Sequence, residues 1–193
     1  MTIEDVEDRV RTYTVAENEQ LAIQLRSITA DCHAGLLWPM SMELLCSIHR
    51  RLFDDVRSGH AGRCRARDFG DEYLTFGPNR SVRRDRVNAE LEEVFKNLDL
   101  SVRSFLANPD APEYERSAVH VAVWAHAEVV RIHPFLDGNG RTSRLLMNAV
   151  LVGLKLQPIA VEAVKQEYNE ALNHYFSSKD LSVLVDLMLQ FVA

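Results

Sequence analysis

Apolar positions recur along this chain mostly at helical spacing. Over residues 17–28, Leu21, Ile23, Leu25 and Ile28 form a broad stripe. After a turn at Trp38-Pro39, residues Leu44, Leu45, Ile48, Leu52 and Phe53 recur at i, i+3 and i+4 over 41–56. Ser41 offers an N-cap there, but Leu44 stands where a capping box wants Glu or Gln, so the start signal is half complete. A third helix is expected over 82–106, with a pattern that allows an interruption near Asp99. The breaker Asn108-Pro109-Asp110-Ala111-Pro112 follows. Residues 114–132 are apolar on nearly all sides at their centre (Ala118, Val119, Val121, Ala122, Val123, Trp124, Ala125), the mark of a helix buried in the middle of its domain. Helices over 139–155, 161–176 and 181–192 complete the pattern.

One stretch departs from it. Residues 58–81 hold Gly59, Gly62, Gly70 and Gly77, half of the eight glycines in the chain, together with Pro78. Between them Phe69, Tyr73, Leu74, Thr75 and Phe76 have strand-forming character around Gly70-Asp71, which predicts a short β-hairpin. With no repeat, no low-complexity tract and no linker, the expectation is one all-α domain carrying a small hairpin.

Composition narrows the function classes. At 193 residues, 47% hydrophobic and 26% charged, the chain can bury a core without staples. A net charge of −6 disfavours a nucleic-acid surface, and acidic residues interrupt the one arginine-rich stretch between Arg57 and Arg86. Three cysteines without a CxxC pair encode neither a disulfide framework nor a zinc site. No apolar run reaches the length of a membrane span, and the first ten residues lack an apolar targeting core, so the expected setting is the cytoplasm.

The chemistry concentrates in His133-Pro134-Phe135-Leu136-Asp137-Gly138-Asn139-Gly140-Arg141-Thr142-Ser143-Arg144, a loop between two apolar helices. Gly138 and Gly140 let the backbone come close to a ligand, and the helix start beyond them favours anions. Arg141 and Arg144, at i, i+3, share a face in the first turns, where the helix dipole disfavours cations by about 0.3–1 kcal/mol each. Such a pair makes sense against a polyanion. Asp137 adds a carboxylate for a hard cation such as Mg²⁺, and His133 a base for an attacking hydroxyl. Together they suggest phosphoryl or nucleotidyl transfer. An ordinary turn with internal ion pairs, and a capping or core histidine, are the plain alternatives.

This string resembles the signature HxFx(D/E)GNGRxxR of the Fic family at every specified position. Ile48-His49-Arg50-Arg51-Leu52-Phe53 and Ala61-Gly62-Arg63-Cys64-Arg65 resemble its IHRxLF and AGxxR segments, with His60 where many members have tryptophan. Pro158 and Tyr168-Asn169-Glu170-Ala171-Leu172 resemble its C-terminal elements. The resemblance implies a Fic-type helical bundle spanning 1–193, with its core at about 41–192 and an N-terminal helical extension at 1–35. It implies protein adenylylation: transfer of AMP from ATP to a Tyr, Thr or Ser hydroxyl of a target protein, with release of pyrophosphate.

Carried over residue by residue, His133 would be the base and Asp137 the Mg²⁺ ligand. Gly138, Asn139 and Gly140 would cradle the phosphates, with Arg141 and Arg144 gripping them and Thr142 and Ser143 within the same nucleotide-binding run. Tyr168 and Asn169 would border the adenine. Tyr73, Leu74, Thr75 and Phe76 would belong to a flap that holds the target segment. Many members carry an inhibitory helix with (S/T)xxxE(G/N). Here Glu17-Asn18 has Tyr13 at the Ser/Thr position, which makes Glu17 a candidate for a blocking salt bridge to Arg144. Otherwise an antitoxin-like partner or self-association would supply the restraint. The alternatives are transfer of another nucleotide or phosphate group, removal of AMP, or a non-catalytic toxin–antitoxin interaction module.

Overall fold

In the computed structural model, which describes residues 13–65, 71–160 and 165–192, the element order is set by the helical periodicity. The chain runs through α1 (Val15–His33), α2 (Met42–Arg57), strands β1 (Thr75–Phe76) and β2 (Asn79–Arg80), a 3₁₀ turn (Arg84–Arg86), α3 (Val87–Ala107), α4 (Tyr114–Ile132), α5 (Asn139–Gly153), α6 (Lys165–Ser178) and α7 (Ser182–Leu189). The fold is all-α with one tiny hairpin.

Helix α4 is the axis, as its all-round apolar sequence predicts. Ala118, Val119, Ala122, Val123, Ala125 and Ala127 are completely buried, and the helix packs against α3, α5, α6 and α7. Its alanines keep the surface shallow, so neighbouring helices can approach closely. Helices α1 and α2 pack on one another and on α5, placing the N-terminal elements against the start of α5. Among the described residues no helix is long and apolar enough to cross a membrane.

Local chemistry sets the helix ends. Ser41 caps α2 by accepting from the Leu44 amide at 3.1 Å, without a reciprocal partner, since Leu44 has no acceptor to return. Helix α1 has the complete box: the Glu17 amide donates to Thr14 Oγ1 at 3.2 Å, and the Thr14 amide donates to Glu17 Oε2 at 2.7 Å.

Two expectations need correction. Helix α3 is not interrupted at Asp99, which forms an exposed pair with Arg103 at 2.8 Å one turn along an unbroken helix. The hairpin reverses at Gly77-Pro78, not at Gly70-Asp71. Gly77 has φ 53, and Thr75 pairs with Arg80 and Phe76 with Asn79. Of the predicted flap residues, Tyr73 and Leu74 precede β1, and Thr75 and Phe76 form it; Phe69 and Gly70 lie outside the described residues, as do the first turn expected at 161–164 and residues 1–12 of the extension.

Leu146, fully buried on α5, and Leu100, 58% exposed on α3, give a paired test of this core. Leu146→Ala is expected to lower unfolding stability by roughly 2–5 kcal/mol, and Leu100→Ala to change it by less than about 0.5 kcal/mol, both measured by urea denaturation.

Candidate active site

The His133–Arg144 loop begins where α4 ends. His133 caps that helix in the left-handed region, φ 54 and ψ 60, which costs a residue with a Cβ roughly 1–2 kcal/mol. The brace that holds it is Arg65. This side chain is completely buried, and its guanidinium donates to backbone carbonyls: Nε to His133 O at 2.6 Å and a terminal nitrogen to Ile132 O at 2.9 Å. The same terminal nitrogen reaches Ser81 Oγ at 2.8 Å and the Val82 carbonyl, and the Arg65 amide donates to Pro134 O at 2.7 Å. Burial draws its pKa down to about 10, which still leaves the guanidinium charged near neutral pH. One arginine thus pins the end of α4, the loop and the base of the hairpin together. The sequence singles out no role for Arg65, because inside an arginine-rich stretch nothing in the pattern distinguishes a buried guanidinium from a solvated one.

The His133 ring is fixed from two sides. Nδ1 lies 3.2 Å from the Val130 carbonyl, a contact that is favourable only with the proton on Nδ1, so Nε2 is the basic nitrogen. Phe76 of β1 stacks flat on the imidazole, with centroids 4.3 Å apart and planes at 8°, and meets Phe176 of α6 edge-on. Asn79 ties the other strand to α6 through Asn173 Oδ1 at 2.6 Å. The hairpin therefore rests directly on the histidine.

Beyond His133 the loop is braced from below by a second histidine. His49 of α2 accepts from the Gly62 amide on Nδ1 at 2.9 Å, which places its proton on Nε2, and Nε2 donates to the Asp137 carbonyl at 3.0 Å. Its ring stacks on the buried Phe135 at 3.8 Å. Burial lowers the His49 pKa to about 4, in keeping with a neutral ring. Asn139 closes the loop, with Oδ1 accepting from the Phe135 amide at 2.9 Å and Nδ2 donating to the Phe135 carbonyl at 2.8 Å. Gly138, at φ 76, is required twice over: a Cβ there would also sit 2.3 Å from the Phe53 ring.

Asp137, Arg141 and the start of α5 form the open face. Asp137 Oδ1 accepts from the Gly138 amide at 2.6 Å, and Oδ2 lies 3.6 Å from Arg141. Gly138, the N-cap of α5, makes no side-chain cap bond, and the first-turn N–H groups carry the positive end of the helix dipole. The Tyr13 hydroxyl donates to Asp137 Oδ2 and accepts from Arg141 at 3.2 Å, and the guanidinium groups of Arg57 and Arg141 flank its ring at 5.3 and 5.1 Å. No cluster of three or more His, Cys, Asp or Glu side chains able to hold a metal occurs among the described residues. A single carboxylate beside an anion site suits Mg²⁺ shared with phosphate oxygens and water.

The surroundings of the other expected ligand residues vary. Thr142 and Ser143 are fully buried, Ser143 Oγ donating to Gly140 O at 3.2 Å, so their side chains pack inward from the open face. The Asn139 amide group is committed to Phe135, which leaves it a bracing role in the loop. Tyr168 is buried, and its hydroxyl lies 2.5 Å from His126 Nε2. Burial pushes its phenol up to about 12, against the pull of the Arg144 guanidinium beside it. Asn169 is exposed on α6. Glu17 makes no ion pair with Arg144 among the described residues. Its carboxylate is committed to the Thr14 cap, which lowers its pKa, with a smaller contribution from the Arg57 charge.

A family model described as Fic/DOC matches residues 39–151. The chain is 30% identical over 136 residues to the protein adenylyltransferase Fic of Nematostella vectensis, a match covering 69% of this chain and 28% of that protein. Among solved structures, C. elegans Fic-1 superposes with a TM-score of 0.67 at 22% identity, covering 94% of this chain and 50% of the other. The Bartonella tribocorum effector BepC with bound AMPPNP superposes with a TM-score of 0.66 at 15% identity, covering 91% and 87%. The chain thus spans less than a third of the Nematostella relative and about half of the Fic-1 structure.

The neutral His49 has a measurable consequence. Its folded pKa of about 4 lies below the ordinary 6.5, so the unfolded chain binds the proton more readily and stability is lost as pH falls through that window. His49 alone is expected to remove about 2 kcal/mol between pH 7 and pH 5. In urea denaturation at both pH values, His49→Gln should show a smaller loss than the wild type.

Proposed function

The chain belongs to the Fic/DOC family, and on that premise we propose that it transfers AMP from ATP to a hydroxyl of a protein target. The observation that carries this reading is the set of His133: its tautomer presents Nε2 as a base beside a glycine turn, a carboxylate and an arginine pair. The target hydroxyl gives its proton to Nε2 as its oxygen attacks the α-phosphorus. The bond from the α-phosphorus to the bridging oxygen breaks, and pyrophosphate leaves. The open N–H groups at the start of α5 hold phosphate oxygens, and Arg141 and Arg144 offset the charge developing on the leaving group. Asp137 would hold Mg²⁺ together with the phosphates, and the bound ion would neutralise phosphate charge during transfer. Above the base, the short hairpin offers an edge on which an extended target segment can lie by strand addition.

In this reading the N-terminal edge restrains the site through Tyr13. Its hydroxyl occupies both the carboxylate that would hold the metal and the arginine that would hold phosphate. Glu17 contributes by fixing the start of α1, which aims the preceding residue at the loop.

Incubation with α-labelled ATP and Mg²⁺ is expected to label a protein target or the enzyme itself, and His133→Ala to reduce that labelling about 10²–10⁴-fold. Competition by unlabelled ATP, GTP and UTP checks the nucleotide, and undiminished transfer by the folded variant would remove His133 as the base. For the restraint, Tyr13→Ala should tighten binding of Mg²⁺-ADP by calorimetry at least about fivefold, the lower end of ordinary coupling between sites. Glu17→Gly should have a smaller effect; equal affinities in wild type and Tyr13→Ala would exclude the tyrosine as a restraint.

A further inference from the structure

Behind the two braces of the loop lies a pair of thiols that the nucleotidyl-transfer reading does not use. Cys46 on α2 and Cys64, eighteen residues later, have their sulfurs 3.5 Å apart, and both side chains are half-buried. The contact is built by close backbone packing. Gly62, at φ 70, lies so near α2 that a Cβ there would meet Arg50 at 2.9 Å and the Cys46 carbonyl at 3.0 Å. Cys64 is then held by its neighbour, since Arg65 is anchored by its amide and guanidinium to the loop. At 3.5 Å the sulfurs stand about 1.5 Å beyond a disulfide bond length of about 2.0 Å, so closure needs only a short approach.

We propose that Cys46 and Cys64 are an oxidisable pair that closes reversibly to an intramolecular disulfide in the native fold, with a peroxide or glutathione disulfide as oxidant. With a peroxide, the Cys46 thiolate attacks one oxygen, the O–O bond breaks, and a sulfenic acid forms. The Cys64 sulfur attacks that sulfur, the S–O bond breaks, and hydroxide leaves as water with the Cys64 proton. Two thiols lose two electrons and hydrogen peroxide becomes two waters. Glutathione disulfide reaches the same bond through a mixed disulfide, releasing two glutathione thiols. Cys46 is the first attacker: its contact with Cys64, in which either sulfur can donate, lowers its pKa against burial and the Glu43 charge, with a smaller lowering from Arg50, while the same contact raises that of Cys64. Cys32 is the internal control, completely enclosed in the core with its thiol pushed up to about 11 by burial.

Position gives the bond its consequence. Cys46 lies one turn before His49, which holds the Asp137 carbonyl, and Cys64 directly precedes Arg65, which holds the His133 carbonyl. The disulfide would join the two supports of the loop covalently. In a reducing compartment such a bond is transient and responds to oxidant load.

The reduced full-length protein is treated with hydrogen peroxide, and separately with glutathione buffers of graded potential, then mapped by intact mass and non-reducing peptide analysis. The expected result is loss of two hydrogens, a cross-linked peptide joining 46 to 64, and reversal by dithiothreitol. Cys46→Ser and Cys64→Ser should each abolish it, and Cys32→Ser should leave it unchanged. Closing a loop of this length should raise the folding equilibrium constant of the oxidised wild type by about 10²-fold. Oxygen or glutathione adducts confined to single thiols, a bridge involving Cys32, or an oxidised protein less stable than the reduced one would each overturn the proposal. None of these readouts depends on nucleotidyl transfer.

Discussion

The guanidinium of Arg65 beneath His133 is the interaction on which the candidate site depends. A histidine at a left-handed helix end is strained, and its carbonyl and that of Ile132 are turned toward the buried interior. Both accept from one buried cation, which also reaches Ser81 and Val82 at the base of the hairpin. A buried charge is costly unless its donors are satisfied, and here backbone carbonyls satisfy the arginine. Lysine has neither the planar fork nor enough donors to hold these positions together. The basic nitrogen of His133 is therefore specified from outside the signature string.

His49 supports the other end of the same loop by different physics. It works as a neutral spacer, with one nitrogen accepting from the Gly62 amide and the other donating to the Asp137 carbonyl. An imidazole that must stay uncharged to do this is stabilised by enclosure, here between the Phe53 and Phe135 rings. Above the loop, Phe76 stacks on His133 as Phe135 stacks on His49. The two histidines thus share a packing motif, one proposed for proton transfer and the other serving the geometry of the loop.

What the sequence disclosed follows the range of each interaction. Helices α2, α4 and α5 were legible because burial at helical period is written locally, and the loop was legible because glycines, a carboxylate and dipole-opposed arginines lie within twelve residues. The hairpin turn was misplaced because two-residue strands leave too little alternation to locate a reversal, and the strand-forming residues point to either glycine. Asp99 looked like a break because an exposed i, i+4 pair with Arg103 cannot be seen from apolar spacing. The roles of Arg65 and Tyr13, and the meeting of Cys46 with Cys64, depend on contacts between distant segments. Glu17 shows how two signals overlap: the spacing that suggests an inhibitory motif coincides with that of a helix cap.

Asn139 has one more consequence. Both ends of its amide close on the Phe135 peptide, so the turn is cross-braced before any anion arrives. The conformational freedom of the glycines is surrendered during folding, and under the proposed function a phosphate would meet a turn that is already braced. Recognition there would be set by charge and fit, with little entropy left to lose at the moment of encounter.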